Sequence, residues 1–235
     1  MQPSSILALL AAGASLAAAQ CNKIQIFTAV GHGETYPGVQ RSITTAVCKG
    51  VASCGVANIQ YPSVKTGNDY NGCKAIEQGI AYGRTAITDY ATRCPEAKIV
   101  VTGWSMGASV VGDLLAGGGG PGKGAMAGCT QATTPPMDPT TAPGSRIVAV
   151  ALYGSPRHNA DQKFNVGTGS GTDGVMAREP ANLAALQAWG DRLRDYCAKG
   201  DVACNAGNDG GAHSGYFSNS YASVPASWIR SKLGV

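Results

Sequence analysis

Four short apolar runs rich in β-branched residues punctuate the chain, at residues 23–28, 58–61, 98–103 and 146–154. Strands buried on both faces of a parallel sheet carry continuous runs of this kind, whereas a strand with one wet face alternates. Between the runs the spacing becomes helical. Residues 73–94 place Ile76, Ile80, Ala81, Ala86, Ile87 and Tyr90 on one broad face, and further helices are predicted over 105–115, 181–195 and 221–233. Strands alternating with helices predict an α/β fold with a mostly parallel sheet. Segments 117–124, 130–144 and 162–174 are rich in Gly, Pro and Thr and read as loops. Neither an internal repeat nor an interdomain linker breaks the pattern, so residues 20–235 are read as one domain, long enough to bury a sizeable core.

The N-terminus departs from this pattern. Residues 6–19 are apolar and small and close with Ala17-Ala18-Ala19, which predicts an export signal over residues 1–19. The stretch is shorter than the about 20 apolar residues of a membrane span. Composition agrees with an extracellular protein: only 14% of residues are charged, Gly is abundant at 33, and the net charge is a mild +4. There is no Lys/Arg run of the kind that binds nucleic acid or an anionic membrane, so neither partner is expected. All 8 cysteines follow the leader. An even count in an exported chain predicts up to four disulfides. Metal ligation is the weaker reading, with no Cys-x-x-Cys pair and only 3 histidines.

The third apolar run leads into Gly103-Trp104-Ser105-Met106-Gly107, a G-x-S-x-G between a predicted strand and a predicted helix. That context gives the motif its meaning. A serine on a sharp strand-to-helix turn needs flanking glycines, and the amide-rich helix end favours negative charge developing beside it. Ser105 is therefore the candidate nucleophile of an α/β-hydrolase.

A serine hydroxyl is a poor nucleophile until a base takes its proton. The choices are His32, His158 and His213. The α/β-hydrolase order is serine, acid, histidine, so His32 drops out as the base. Only Asp113 and Asp138 stand between Ser105 and His158, one in the nucleophile's own helix and one in a Pro-rich loop. His213 lies in the loop Gly211-Ala212-His213-Ser214-Gly215 near the C-terminus. The acid paired with it is read as Asp201, in Cys197-x-x-x-Asp201-x-x-Cys204, where a disulfide would mount the carboxylate rigidly. Asp195, read as a strand residue, and Asp209, read as a turn residue in Asn208-Asp209-Gly210, are its rivals.

With these residues in place, the chain resembles the cutinase and acetylxylan esterase group, carbohydrate esterase family 5, over essentially its whole mature length. The nucleophile motif, the Cys197–Cys204 loop around Asp201 and the later His213 carry the resemblance. Tyr153-Gly154-Ser155-Pro156 is similar to the family's Gly-Asp-Pro after the fourth strand. The stretch from Tyr196 to Tyr216 looks closer to acetylxylan esterases than to cutinases. The resemblance implies a small three-layer α/β-hydrolase with a five-stranded parallel sheet and no lid domain. It also implies the pairings Cys21–Cys94 and Cys197–Cys204, and leaves Cys48, Cys54, Cys73 and Cys129 unassigned.

Two positions depart from the family pattern. Met106 stands where relatives carry Gln, and its backbone N–H can still serve an oxyanion hole. In the segment after the first strand, Val30 replaces an Arg, and His32 occupies the place of the residue giving the second oxyanion donor. Gly117 to Lys123 nearly spells a phosphate loop, but it follows a helix, contains Pro121 and is succeeded by Gly124 rather than Ser or Thr. Trp104, Tyr36, Tyr216 and Phe217 are candidates to frame a cleft. The expectation is thus a secreted, monomeric serine esterase without metal or cofactor. It would act on acetyl esters of plant polysaccharide, chiefly xylan, or alternatively on a fatty polyester. A third expectation is a binding protein that keeps only the fold.

Overall fold

A computed structural model of the protein describes residues 21–65, 71–123 and 126–235. The leader expected at 1–19 lies outside the described residues. Among them no helix is long and apolar enough to cross a membrane.

The central sheet consists of β1 (Ile24–Ala29), β2 (Cys54–Asn58), β3 (Lys98–Trp104), β6 (Ile147–Tyr153), β7 (Asn165–Val166) and β8 (Leu193–Tyr196). Its order is β2-β1-β3-β6-β8-β7 and every pairing is parallel. The sheet therefore has six strands where five were expected, the extra one being the two-residue edge strand β7. Between β3 and β6 lie β4 (Gly118–Pro121) and β5 (Thr130–Thr134), an antiparallel pair outside the main sheet.

The layers follow from side-chain alternation along the central strands. Ile24, Ile26, Val100, Ala149 and Ala151 face one side, where α1 (Arg41–Cys48) and α6 (Asn219–Leu233) pack. Phe27, Ile99, Val101, Val150 and Leu152 face the other, towards α2 (Gly72–Arg93), α3 (Met106–Ala116) and α4 (Pro180–Gln187). Every residue of α3 is buried, as expected of a helix that is apolar on most of its circumference. α2 starts where Asn71 accepts a hydrogen bond from the Lys74 N–H at 3.0 Å.

Three sequence expectations need correction. The strand expected at 58–61 is instead β2, which ends at Asn58. The apolar Ile59 and Tyr61 that suggested it are buried, but they lie in the segment that leaves the sheet, and Ile59 N–H still bonds to the Thr28 carbonyl. The helix expected over 181–195 stops at Gln187. Gly190 turns with φ +56°, a short 3₁₀ turn follows, and the chain enters β8 with Asp195 in the strand. The loops expected at 117–124, 130–144 and 162–174 contain β4, β5 and β7.

All eight cysteines are paired: Cys21–Cys94, Cys197–Cys204, Cys48–Cys54 and Cys73–Cys129. The first two are the pairings the resemblance implies. The third ties α1 to β2, and the fourth ties the start of α2 to the segment just before β5.

Candidate active site

The carboxyl ends of β1, β3, β6 and β8 converge on one edge of the sheet, where open α/β sheets place their ligands. At the end of β3 the backbone reverses into α3 through Ser105, which has φ 54° and ψ −121°. A serine rarely adopts this left-handed backbone, and it persists only where the surroundings enforce it. Here the Ser105 N–H bonds to the Tyr153 carbonyl at 2.9 Å, and the first turn of α3 bonds back to the Ser105 carbonyl. The flanking glycines are required by close backbone approach. A Cβ on Gly103 would stand 2.3 Å from the Gly107 carbonyl oxygen, and one on Gly107 would stand 2.1 Å from the Ala29 carbonyl oxygen.

His213 sits on α5 (Gly210–Ser214), a single helical turn. Its Nε2 lies 2.8 Å from Ser105 Oγ, and its Nδ1 lies 2.9 Å from Asp201 Oδ1. Asp201 is fully buried in the loop closed by Cys197–Cys204. Its Oδ1 also accepts the N–H groups of Ala203 (2.6 Å) and Cys204 (3.0 Å), and its Oδ2 accepts the Tyr216 hydroxyl at 2.6 Å. Burial on its own would raise this carboxyl, but the hydrogen bonds from His213, Tyr216 and Ala203 outweigh it and hold Asp201 below the usual aspartate range. The imidazole is held from behind as well. The Trp104 indole N–H donates to the His213 carbonyl at 2.9 Å, and the two rings lie 5.4 Å apart.

The other sequence candidates lie elsewhere. Asp209 caps α5, accepting the N–H groups of Gly211 (2.8 Å) and Ala212 (3.1 Å), so it supports the helix of His213 without meeting its ring. Asp113 is buried between Arg178 and Arg157, the latter at 2.9 Å. Asp138 accepts bonds from Thr140 and Thr141 within its own loop.

His158 pairs with Asp195 at 2.8 Å, with neither side chain appreciably exposed. Burial presses this imidazole towards neutrality, but the charge and hydrogen bond of Asp195 prevail and raise it above its ordinary value. A raised folded-state value means the pair's contribution is complete at pH below the unfolded histidine value, about 6.5, and fades as pH climbs through the raised value. His158→Ala should cost about 3–5 kcal/mol below pH 6, because it strands a buried carboxylate. The gap in melting temperature between the two proteins should narrow from pH 5 to 9 by the part the His158 charge contributes, without closing, because the buried Asp195 stays without its partner in the variant. A gap that widens with pH would reverse the assignment.

Ser105 and His213 open onto a cleft of about 820 Å³. Ile76, Met126, Val175, Met176 and Val202 give it an apolar lining, to which Lys65 and Lys123 add two cationic side chains. His32 and Met106 line the same cleft. Met106 begins α3, so its backbone belongs to the positive end of a helix pointing at Ser105. The loop bearing His32 is braced by Glu34, whose carboxylate accepts the N–H groups of Gly31 (2.9 Å) and Val39 (3.0 Å). That brace was not foreseen from sequence.

Among the four aromatic candidates, Trp104 lines the cleft. Tyr216 lies buried behind Asp201, Phe217 packs edge-on against Trp104, and the Tyr36 hydroxyl donates to the Ile59 carbonyl. Nothing in the local sequence marks Tyr216 as the partner of Asp201, since the contact forms only when two loops meet. Chemically, such an array can withdraw a proton from the hydroxyl as its oxygen attacks an electrophilic carbon, while a buried carboxylate keeps the imidazole oriented.

A family model described as Cutinase matches residues 20–233. Cutinase 11 of Verticillium dahliae is 31% identical, over 99% of this chain and 78% of its own length. Acetylxylan esterase 2 of Talaromyces purpureogenus is 29% identical, over 85% of this chain and 75% of its own. Among solved structures, the catalytic core domain of acetyl xylan esterase from Trichoderma reesei superimposes with a TM-score of 0.75 at 25% identity. That likeness covers 91% of this chain and all of the other.

Proposed function

The chain belongs to the cutinase family of carboxylic ester hydrolases, and on that premise we propose that it is a secreted serine esterase cleaving acetyl esters on xylan. Ser105 is the nucleophile, His213 its base and Asp201 the acid that orients His213. His213 Nε2 takes the hydroxyl proton as Ser105 Oγ attacks the ester carbonyl. The backbone N–H groups of His32 and Met106 receive the developing oxyanion. His213 then hands its proton to the departing alcohol, and the acyl group stays on Ser105. In the second half, His213 deprotonates a water that attacks the acyl-enzyme, and the acid leaves with Ser105 restored. The observation that carries this reading is the hydrogen-bonded line from Ser105 Oγ through His213 to Asp201 at 2.8 and 2.9 Å, at the mouth of an open cleft.

Export is supported by the apolar leader and by four disulfides in the described chain. The protein is proposed to act as a monomer without cofactor. Acetyl esters are favoured by the relatives named acetylxylan esterase, and xylan by the same names. One observation favours longer acyl chains, as in a fatty polyester: the apolar lining of Ile76, Met126, Val175, Met176 and Val202 is far larger than an acetyl group needs. A binding role on the same fold is disfavoured by the retention of a complete serine, histidine and aspartate line.

Hydrolysis of p-nitrophenyl esters from acetate to palmitate, with acetate release from acetylated xylan, separates these readings. The proposal expects the highest kcat/KM on acetate and release of acetate from the polymer. A maximum at butyrate or longer would replace xylan with a polyester. Inactivity on every ester would leave the binding role.

A further inference from the structure

The carboxylate of Asp201 is reached from two loops that are separate in sequence. Its Oδ1 is occupied by His213 and by two backbone N–H groups of its own loop, and its Oδ2 takes the Tyr216 hydroxyl at 2.6 Å. The same hydroxyl oxygen accepts the Ala198 N–H at 2.9 Å and lies 3.4 Å from Cys204 Sγ. One phenol therefore touches the backbone, the disulfide and the carboxylate of the 197–204 loop, while its own backbone follows His213 by three residues. The ring cannot drift, because it is buried against Tyr153, Phe217 and Tyr221 with centroids 6.2, 6.2 and 5.7 Å away.

We propose that Tyr216 is a positioning residue for ester hydrolysis, fixing the Asp201 carboxylate in the plane of His213 and tempering the charge that the imidazole feels. This inference rests on the assignment of Ser105, His213 and Asp201 given above. Hydrogen bonds to an ionised acceptor are about twice as strong as neutral ones, and they draw charge towards the donor. Donation from Tyr216 to Oδ2 leaves less charge on Oδ1, so the imidazolium that forms during attack is stabilised less than by a bare carboxylate. The base thereby keeps a proton affinity suited to accepting and returning a proton near neutral pH. Tyr216 retains its own proton throughout, because burial and then the charge of Asp201 raise it. The titratable groups around this pair are His213 on Asp201, Tyr153 and Tyr221 against the Tyr216 ring, and Asp209, whose backbone forms a bridge with Asp201.

The test is the pH profile of kcat/KM on p-nitrophenyl acetate for wild type, Tyr216→Phe and a variant with 3-fluorotyrosine at 216. Tyr216→Phe should lower kcat about tenfold with KM within about twofold, the pattern of a lost transition-state interaction. Its acid limb should move to higher pH, because the carboxylate now holds its full charge for the imidazolium. The fluorinated phenol keeps the shape and is a stronger donor, so its acid limb should move the opposite way. A merely structural role would lower activity or melting temperature in Tyr216→Phe without moving either limb. Unchanged kcat and limbs in both variants, with Ser105→Ala inactive, would overturn the inference. Should Tyr216→Phe not fold, the fluorinated variant decides alone, and an unmoved limb overturns the proposal. Activity persisting in Ser105→Ala would instead bring down the assignment beneath it.

Discussion

Replacing Ser105 with alanine should lower kcat on p-nitrophenyl acetate by about 10⁵- to 10⁶-fold, the scale on which removing the nucleophile of such an array acts. The change deletes one hydroxyl and no packing. Alanine at φ 54° is strained to much the same degree as serine, so the melting temperature should stay within about two degrees. Residual turnover would reflect binding and oxyanion stabilisation alone, which still exceed water by about 10³–10⁴. Kinetics together with thermal melting separate the outcomes. A folded Ser105→Ala protein losing less than about tenfold would mean that another group attacks the ester.

The second large effect is expected at Asp201. Asp201→Asn should lower kcat by about 10⁴-fold. The amide can still receive the Ala203 and Cys204 N–H groups through its oxygen, which occupies that side in the wild type. The same oxygen still faces His213 Nδ1, and the amide nitrogen falls on the Oδ2 side against the Tyr216 hydroxyl, but the residue no longer supplies the negative charge that stabilises the imidazolium. A pH signature accompanies the loss. Asp201 is depressed below the usual aspartate value, so its ionised form contributes stability that is complete above the unfolded value, about 3.9, and disappears as pH falls through the depressed folded value. The stability gap between wild type and Asp201→Asn should accordingly be constant from pH 5 to 8 and close at strongly acid pH. Urea unfolding at several pH values measures it. A gap that opens on acidification would mean that the carboxylate is raised rather than depressed.

The legibility of this fold in its sequence varied with burial. The runs at 23–28, 98–103 and 146–154 are continuous because β1, β3 and β6 lie in the middle of the sheet, covered on both faces. At the edge the signal fails. β2 holds Gly55 and is only half-buried, so the eye moves on to Ile59 and Tyr61, which are buried for a different reason. A two-residue strand such as β7 has no periodicity to detect. α1 spells Arg-Ser-Ile-Thr-Thr-Ala-Val-Cys, a β-branched stretch whose helix depends on packing against α6 rather than on propensity.

The candidate site was legible wherever chemistry constrains order and spacing. Ser105 is marked by its glycines, and His213 and Asp201 by chain order and a loop stapled by cysteines. Two features were hidden because each joins separate segments: Tyr216 on Asp201, and Cys73–Cys129 beside the cleft; the Glu34 brace of the His32 loop is local, but it follows no capping or turn pattern that the sequence displays. No local pattern encodes a contact that arises only when separately folded loops meet.

The central claim is that Ser105 carries the acyl group. The most direct measurement is mass spectrometry of the protein after inactivation by a p-nitrophenyl alkylphosphonate, which transfers its phosphonyl group to an activated serine. The account predicts a single adduct per chain, on the peptide containing Ser105, formed in step with loss of esterase activity. An adduct on a different residue, or full labelling of Ser105 with activity intact, would contradict it.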